Sequence, residues 1–236
     1  MAYEFSGRVR YSEINEEGKL SLSSLVNYFQ DVSTFQSEQL GVGLAYMKER
    51  HIAWVLSSWQ IQVNRYPKLG EKIVVATFPY EFKGFFGMRN FLLMTEAEEV
   101  LACANTMWTL LDTEKMVPAK PTEEMLQKYV LEERYPMDYR GRKIAIPDNG
   151  SKQPAIPVTK EYLDTNFHVN NGQYVRIAKM YLPDRVSVKQ LRAEYRKSAV
   201  LGDVFYPVLY ANDGNYVVSL NDKDQKAYAV VEFTLA

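Results

Sequence analysis

Cysteine and histidine are scarce in this 236-residue chain: Cys103 stands alone, and His51 and His168 are the only two histidines. A single cysteine excludes an internal disulfide and any multi-cysteine metal site. Two distant histidines, with no HExxH or CxxC spacing, form no metal-ligand pattern. Cys103 lies in an apolar, strand-like run at 100–111, where a buried inert thiol is expected rather than a nucleophile. An excess of one charge is also missing. The 28 Lys and Arg nearly balance 29 Asp and Glu, which argues against a nucleic-acid binder. No apolar run is long enough to span a membrane, and the opening MAYEFSGRVRYSE is no signal peptide. Together these absences lead us to expect a soluble, reduced, cytoplasmic protein without metal or cofactor.

What is present fits a packed core. Apolar residues make up 47 % of the chain, and the length suits one large domain or two of about 100–120 residues. A first strand is expected near residues 3–11. Ser21 or Ser23 could cap a helix carrying Leu25, Phe29, Val32 and Gln36 at four-three-four spacing, closed by Gly41 and Gly43. Strands are expected at 52–65, 72–80, 86–95 and 100–111. Six of the ten prolines then fall between Pro118 and Pro157. That stretch reads as an ordered connector holding one short helical candidate at 122–132. Afterwards the pattern returns: a strand at 157–163, a helix at 170–181, and strands at 188–197, 204–211, 216–220 and 227–235. Asn212-Asp213-Gly214-Asn215 is a hairpin signal.

One helix followed by antiparallel strands occurs twice, so each half reads as a sheet wrapped around a central helix. Tyr11 to Asn15 line up with Tyr162 to Asn166, and Leu69-Gly70-Glu71 with Leu201-Gly202-Asp203. In that register Glu13 stands opposite Asp164, and Glu17 opposite His168. The expectation is an α+β tandem of two units, with boundaries at 1–117, 118–156 for the connector, and 157–236.

The densest chemistry lies in YLDTNFHVNNGQYVRIA, residues 162–178. Asp164, Asn166 and His168 alternate at a spacing of two, which in an extended segment puts a carboxylate, an amide and an imidazole on one face. A helix should follow, capped by Asn170 or Asn171. Its first-turn N–H groups and positive dipole end would offer an oxyanion site. His51 has no accompanying acid or nucleophile in a recognisable pattern and reads as structural or merely exposed.

The Asp-x-Asn-x-His-Val-Asn-Asn string resembles the active-site segment of plant and bacterial acyl-ACP thioesterases, double hotdog enzymes of fatty acid biosynthesis and lipid metabolism. The resemblance extends over nearly the whole chain. It takes in Asn27-Tyr28-Phe29-Gln30-Asp31, the Ile52-Ala53-Trp54-Val55 strand with its Val63-to-Gly70 continuation, Gly87-Met88-Arg89, Trp108 and Glu194-Tyr195-Arg196. It implies hydrolysis of a fatty acyl thioester on acyl carrier protein, with Asp164, Asn166 and His168 as the catalytic set. It further implies an acyl channel in the first hotdog, where Phe29, Val32, Trp54, Leu56 and Trp59 offer bulk. One departure stands out: family members often carry Glu and Cys after the Glu-Tyr-Arg segment, where this chain has Ser198 and Ala199. A papain-like mechanism is thereby excluded. The resemblance then implies Asp164 as base, or else as a nucleophile forming an anhydride: either Asp164 takes the whole base role or Ser198 orients a water, with Ser198 as nucleophile disfavoured.

Between Arg176 and Lys197 lie seven Lys or Arg and two acids. Arg176, Lys179, Arg192, Arg196 and Lys197 are therefore candidates to meet an acidic carrier and its phosphopantetheine. A solvated charged face is the alternative. Three rival functions stand beside the first: an acyl-CoA thioesterase, a hotdog dehydratase and a non-catalytic acyl-binding module. Chain length, saturation and oligomeric state, a homodimer included, are not fixed by the sequence.

Overall fold

The longest helix forms where the spacing of Leu25, Phe29, Val32 and Gln36 predicts it. In the computed structural model, which describes residues 2–212 and 214–236, α1 (Leu22–Gln39) starts at Ser21. The Ser21 Oγ accepts the Ser24 N–H at 3.2 Å, satisfying one of the donors that a helix start leaves open. All four stripe residues are buried, and Phe29 packs on Phe91 with ring centroids 5.4 Å apart. Gly41, at φ +71°, leads the chain out of the helix through a left-handed step.

The chain divides into two compact units, one reaching to Ser57 and resuming over Ile61–Tyr139, the other comprising Ser58–Gln60 and Arg140–Ala236. In the first, β1 (Tyr3–Arg8), α1, α2 (Leu44–Glu49), β2 (Ile52–Val63), β3 (Lys72–Lys83), β4 (Phe86–Met94) and β5 (Val100–Asp112) follow one another. Their sheet order is β1-β3-β4-β5-β2, with β1–β3, β3–β4 and β4–β5 antiparallel. The helix α1 lies against β1 and β3. A two-residue β6 (Val117–Pro118) pairs with the end of β5, and α3 (Glu123–Gln127) follows, capped by Thr122.

The second unit repeats the plan on a smaller scale. It contains β7 (Ser151–Lys152), β8 (Ile156–Pro157), α4 (Asn171–Lys179), β9 (Val188–Tyr195), β10 (Val204–Asn212), β11 (Asn215–Asn221) and β12 (Ala227–Leu235). The strands run β9-β12-β11-β10, all antiparallel, with β7 and β8 on β10. Tyr174 of α4 packs on Phe205 of β10 and Tyr195 of β9, with centroids 5.5 and 5.6 Å away. Each unit is thus an antiparallel sheet with a helix on it, the tandem α+β arrangement expected. No helix among the described residues is long and apolar enough to cross a membrane.

One local expectation, the strand at 157–163, comes out differently. The connector stretch 118–156 falls partly in each unit, divided between Tyr139 and Arg140. Its prolines confine ladder pairing to the short β6, β7 and β8, and side-chain bonds hold other parts of it. Asn90 Oδ1 accepts the Tyr135 N–H and the Tyr139 hydroxyl, both at 3.1 Å, and Glu194 accepts the Ile144 N–H at 3.0 Å. Within β2, the three residues Ser58–Gln60, Trp59 among them, are grouped with the second unit. Residues 157–163 extend no strand past β8. They turn into a 3-10 helix, Lys160–Tyr162, and then a tight loop. Of the expected hairpin, Asn212 and Asn215 pair, while Asp213 lies outside the described residues.

Candidate active site

The extended Asp-Asn-His face expected from alternation is replaced by a closed loop, and Asp164 closes it. Its Oδ1 accepts the N–H groups of Asn166 at 2.8 Å and His168 at 3.2 Å. Its own N–H donates to the His168 carbonyl at 2.7 Å, and the Phe167 N–H donates back to the Asp164 carbonyl at 3.1 Å. An Asp that captures the amides two and four residues on competes with strand pairing and wins here. Phe167 takes the left-handed conformation the turn requires, at φ +61°. The three polar residues are therefore brought together by a turn, not by a pleat.

The loop is anchored on both sides. Leu163 and Val169 form a bridge across its base, and His168 bridges Val200. The Val169 N–H donates to the Ala199 carbonyl at 2.9 Å, and the Asn170 N–H to the Tyr162 carbonyl at 2.8 Å. Behind it, the Ala199 N–H donates to the Tyr174 hydroxyl oxygen at 2.9 Å. The Tyr195 hydroxyl donates to the Asn171 carbonyl at 2.9 Å. Burial pushes both phenols above their ordinary range, so they act as neutral struts. The side chains of Asn166 and His168, by contrast, bond no protein group among the described residues. Asn166 is exposed, and Asp164 and His168 are half-buried. One carboxylate oxygen of Asp164 is committed to the loop; the other is not.

Asn170 is the N-cap of α4, its Oδ1 accepting the Gly172 N–H at 2.8 Å and its carbonyl the Gln173 N–H at 2.9 Å. Two of the first-turn donors expected for an oxyanion are thus used by the cap. The N–H of Asn171 is the one left without a protein partner among the described residues. Ser198 is exposed and lies two residues before Val200, the bridge partner of His168.

Three of the five candidate carrier-contacting cations have internal duties. Arg192 pairs with Glu232 at 2.5 Å and donates to the carbonyls of Gly141 and Lys143. Arg196 pairs with buried Glu194 at 2.9 Å. Burial works against the Glu194 charge, but Arg196 and the Ile144 N–H outweigh it and hold the carboxyl below its usual range. Lys197 pairs with Asp222 at 3.3 Å and lies 4.7 Å from the Tyr228 ring centroid. Arg176 and Lys179, in the last turn of α4, complete no ion pair among the described residues. Cys103 is buried, and burial raises its thiol pKa to about 11. His51 is an exposed partner of Glu114 at 3.4 Å.

The first unit contains the same loop, two residues out of the register expected from the matching tyrosines. Asn15 Oδ1 accepts the N–H groups of Glu17 at 3.1 Å and Lys19 at 3.0 Å. The Asn15 N–H donates to the Lys19 carbonyl at 2.8 Å, and the Gly18 N–H to the Asn15 carbonyl at 3.0 Å. Ile14 bridges Leu20, and Lys19 bridges Lys68. The N-cap Ser21 donates its N–H to the Glu13 carbonyl at 2.8 Å. Asn15, Glu17, Gly18, Lys19 and Ser21 therefore stand opposite Asp164, Asn166, Phe167, His168 and Asn170. Glu13 stands opposite Tyr162, not Asp164. Phe167 was missed in the sequence, and the correct register is the signal that singles it out.

Two helix-on-sheet units in tandem, each with this loop ahead of its helix, define a double hotdog protein. The family model described as the acyl-ACP thioesterase N-terminal domain matches residues 2–129. The chain belongs to the acyl-ACP thioesterase family. Among curated relatives, a chloroplastic acyl-[acyl-carrier-protein] hydrolase of Cuphea viscosissima is 27% identical over 214 residues, covering 84% of this chain and 52% of its own length. The palmitoyl-acyl carrier protein thioesterase of Gossypium hirsutum is 22% identical, covering 90% of this chain and 56% of its own. The chain thus spans about half the length of the curated relatives it matches. Two solved structures share the fold over 100% of the chain. They are an acyl-ACP thioesterase from Bacteroides thetaiotaomicron and the 12:0-ACP thioesterase from Umbellularia californica, each with TM-score 0.89 and 18% identity, matched over 98% and 97% of their chains.

Proposed function

We propose that this chain hydrolyses the thioester of acyl-acyl carrier protein and releases a free fatty acid. The observation that carries the reading is the Asp164–His168 loop. One Asp164 oxygen is fixed by two amides, and the side chains of Asn166 and His168 are left unengaged at the start of α4. The family membership and the relatives' printed activities support it.

The uncommitted oxygen of Asp164 takes a proton from water, and the water oxygen bonds to the thioester carbon. Asn166 orients that water or the carbonyl. The Asn171 N–H at the helix start stabilises the developing oxyanion. As the carbon–sulfur bond breaks, His168 delivers a proton to the thiolate, the carboxylic acid and free thiol leave, and the proton taken up by Asp164 passes through solvent to His168, restoring both groups. Attack by Asp164 itself, forming an anhydride, is the alternative first step. Ser198 is at most a water-orienting group. The first unit is proposed to lodge the acyl chain, and Arg176 and Lys179 are the carrier-facing cations least committed elsewhere.

Free-thiol release from a panel of acyl-acyl carrier proteins and the matching acyl-CoA esters tests this. Faster turnover of the carrier-bound series supports the proposal. Equal or faster turnover of CoA esters moves it to an acyl-CoA thioesterase. Enoyl product without free acid would make it a dehydratase, and binding without thiol release an acyl-binding module.

A further inference from the structure

Phe167 occupies the tip of the loop at φ +61° with 78 % of its surface exposed. Neither feature favours folding. The left-handed region is sterically disfavoured for a residue with a Cβ, and an aromatic there is a true outlier. An exposed ring also gains little from burial. Nor does the loop need it, because Gly18, at φ +71°, closes the same set of hydrogen bonds in the first unit. Strain held at one copy of a duplicated loop and absent from the other points to a use outside the fold.

The neighbouring position changes in the same direction. Val200, bridged to His168, is 42 % exposed, and its counterpart bridged to Lys19 is Lys68. The adjoining Leu201 and Leu69 are alike, 50 % and 49 % exposed. An apolar lip, Phe167 with Val200, thus distinguishes the loop carrying Asp164 and His168 from the one carrying Asn15 and Lys19.

We infer that Phe167, with Val200 beside it, contacts the thiol arm of the substrate next to the sulfur. This rests on the thioesterase reading above. His168 protonates the sulfur in that reading, so its neighbour in the chain lies within side-chain reach of the groups flanking the carbon–sulfur bond. The acyl side must leave water, whereas Phe167 faces water, as does the pantetheine arm leading outward to its carrier. The ring covers the methylenes and first amide of that arm and lowers water access to the leaving thiol.

The test compares the wild type with Phe167→Gly, which installs the first unit's own residue, and with Phe167→Leu, which keeps an apolar group. Each is assayed with one acyl group carried on pantetheine and on a short S-ethyl thiol. The contact is expected to raise KM for the pantetheine thioester about fivefold in Phe167→Gly, the scale of losing part of a buried ring, and less in Phe167→Leu. The S-ethyl ester keeps the two methylenes but lacks the amide and the rest of the arm, so its KM should rise clearly less, and Phe167→Gly should melt no lower than the wild type. An unchanged KM for the pantetheine ester, or an equal rise for both esters, overturns the contact. Failure of the thioesterase reading would appear separately, as no thiol release by the wild type. Binding of free pantetheine then decides: about fivefold weaker in Phe167→Gly upholds the contact, and equal binding removes it.

Discussion

The Asn15–Lys19 and Asp164–His168 loops are built by the same hydrogen bonds and differ in almost every side chain. In both, a side-chain oxygen takes the amides two and four residues on. In both, the first N–H returns to the fifth carbonyl and the base is bridged. The frame extends to the facing turn. There the Lys68 N–H donates to Glu71 Oε2 and the Val200 N–H to Asp203 Oδ2, each at 2.9 Å. What differs is chemistry. The first loop carries an amide, an acid and a lysine, with Lys19 and Glu17 paired to each other at 2.8 Å. The second carries an acid, an amide and an imidazole, with the last two unpaired. Because the frame is satisfied by either Asn or Asp, the loop does not require the charge of Asp164, and that leaves its carboxylate free for the proposed role as base.

The comparison can be broken most severely at the second loop. His168→Ala and Asp164→Asn should each lower kcat by about 10²–10⁴, the scale of losing a positioned acid or base. Asp164→Asn should melt like the wild type, since Asn15 demonstrates that an amide oxygen holds the loop. Steady-state kinetics beside a thermal melt separate the two effects. Near-normal turnover would remove the residue from the mechanism.

The frame itself is sharpened by Asn15→Ala, which leaves two loop amides without their acceptor. At about 0.5–1.5 kcal/mol for each bond, stability should fall by about 1–3 kcal/mol, read from denaturant midpoints. No change would mean that the shared bonds do not hold the loop. Ser198→Ala should reduce kcat about tenfold or less, around 1.4 kcal/mol in the barrier. A trapped acyl-serine seen by mass spectrometry would instead make Ser198 the nucleophile. The smallest effect belongs to the first loop's ion pair. Both Glu17 and Lys19 are about two-fifths exposed, so Glu17→Gln should shift stability by about 0.5 kcal/mol or less. A larger shift would give that loop a role of its own.

How much of this was legible in the sequence depended on whether local rules decided the outcome. The α1 stripe and its Ser21 cap were readable because helical spacing and capping are local. The Asp-Asn-His string stands out because its residue types suit the proposed chemistry. Its conformation was not readable, because alternation alone cannot reveal that Asp164 captures two amides. The register between the halves differs by two residues from the one that the matching letters of Tyr11 and Tyr162 suggest. The positions that match in shape, Gly18 with Phe167 and Ser21 with Asn170, share a dihedral or a cap but not an amino acid. Long-range polar contacts were equally hidden. Gln36 sat on the apolar stripe of α1 without a reason, which proves to be buried Arg89, donating to its Oε1 at 2.6 Å and to Thr77 Oγ1 at 3.3 Å. Burial draws the Arg89 pKa down to about 10, leaving it protonated at neutral pH. No spacing rule links a helix residue to a strand residue 53 positions later.

The most direct test exchanges the one difference that matters between the loops. Free-thiol release at saturating acyl-carrier substrate is measured for the wild type, Asp164→Asn and Asn15→Asp, two substitutions that preserve the loop acceptor and move only a charge. Release by Asp164→Asn should fall by about a hundredfold or more, and that by Asn15→Asp should stay within about threefold, less than 1 kcal/mol in the barrier. Comparable losses in both variants, or undiminished release by Asp164→Asn, would contradict it.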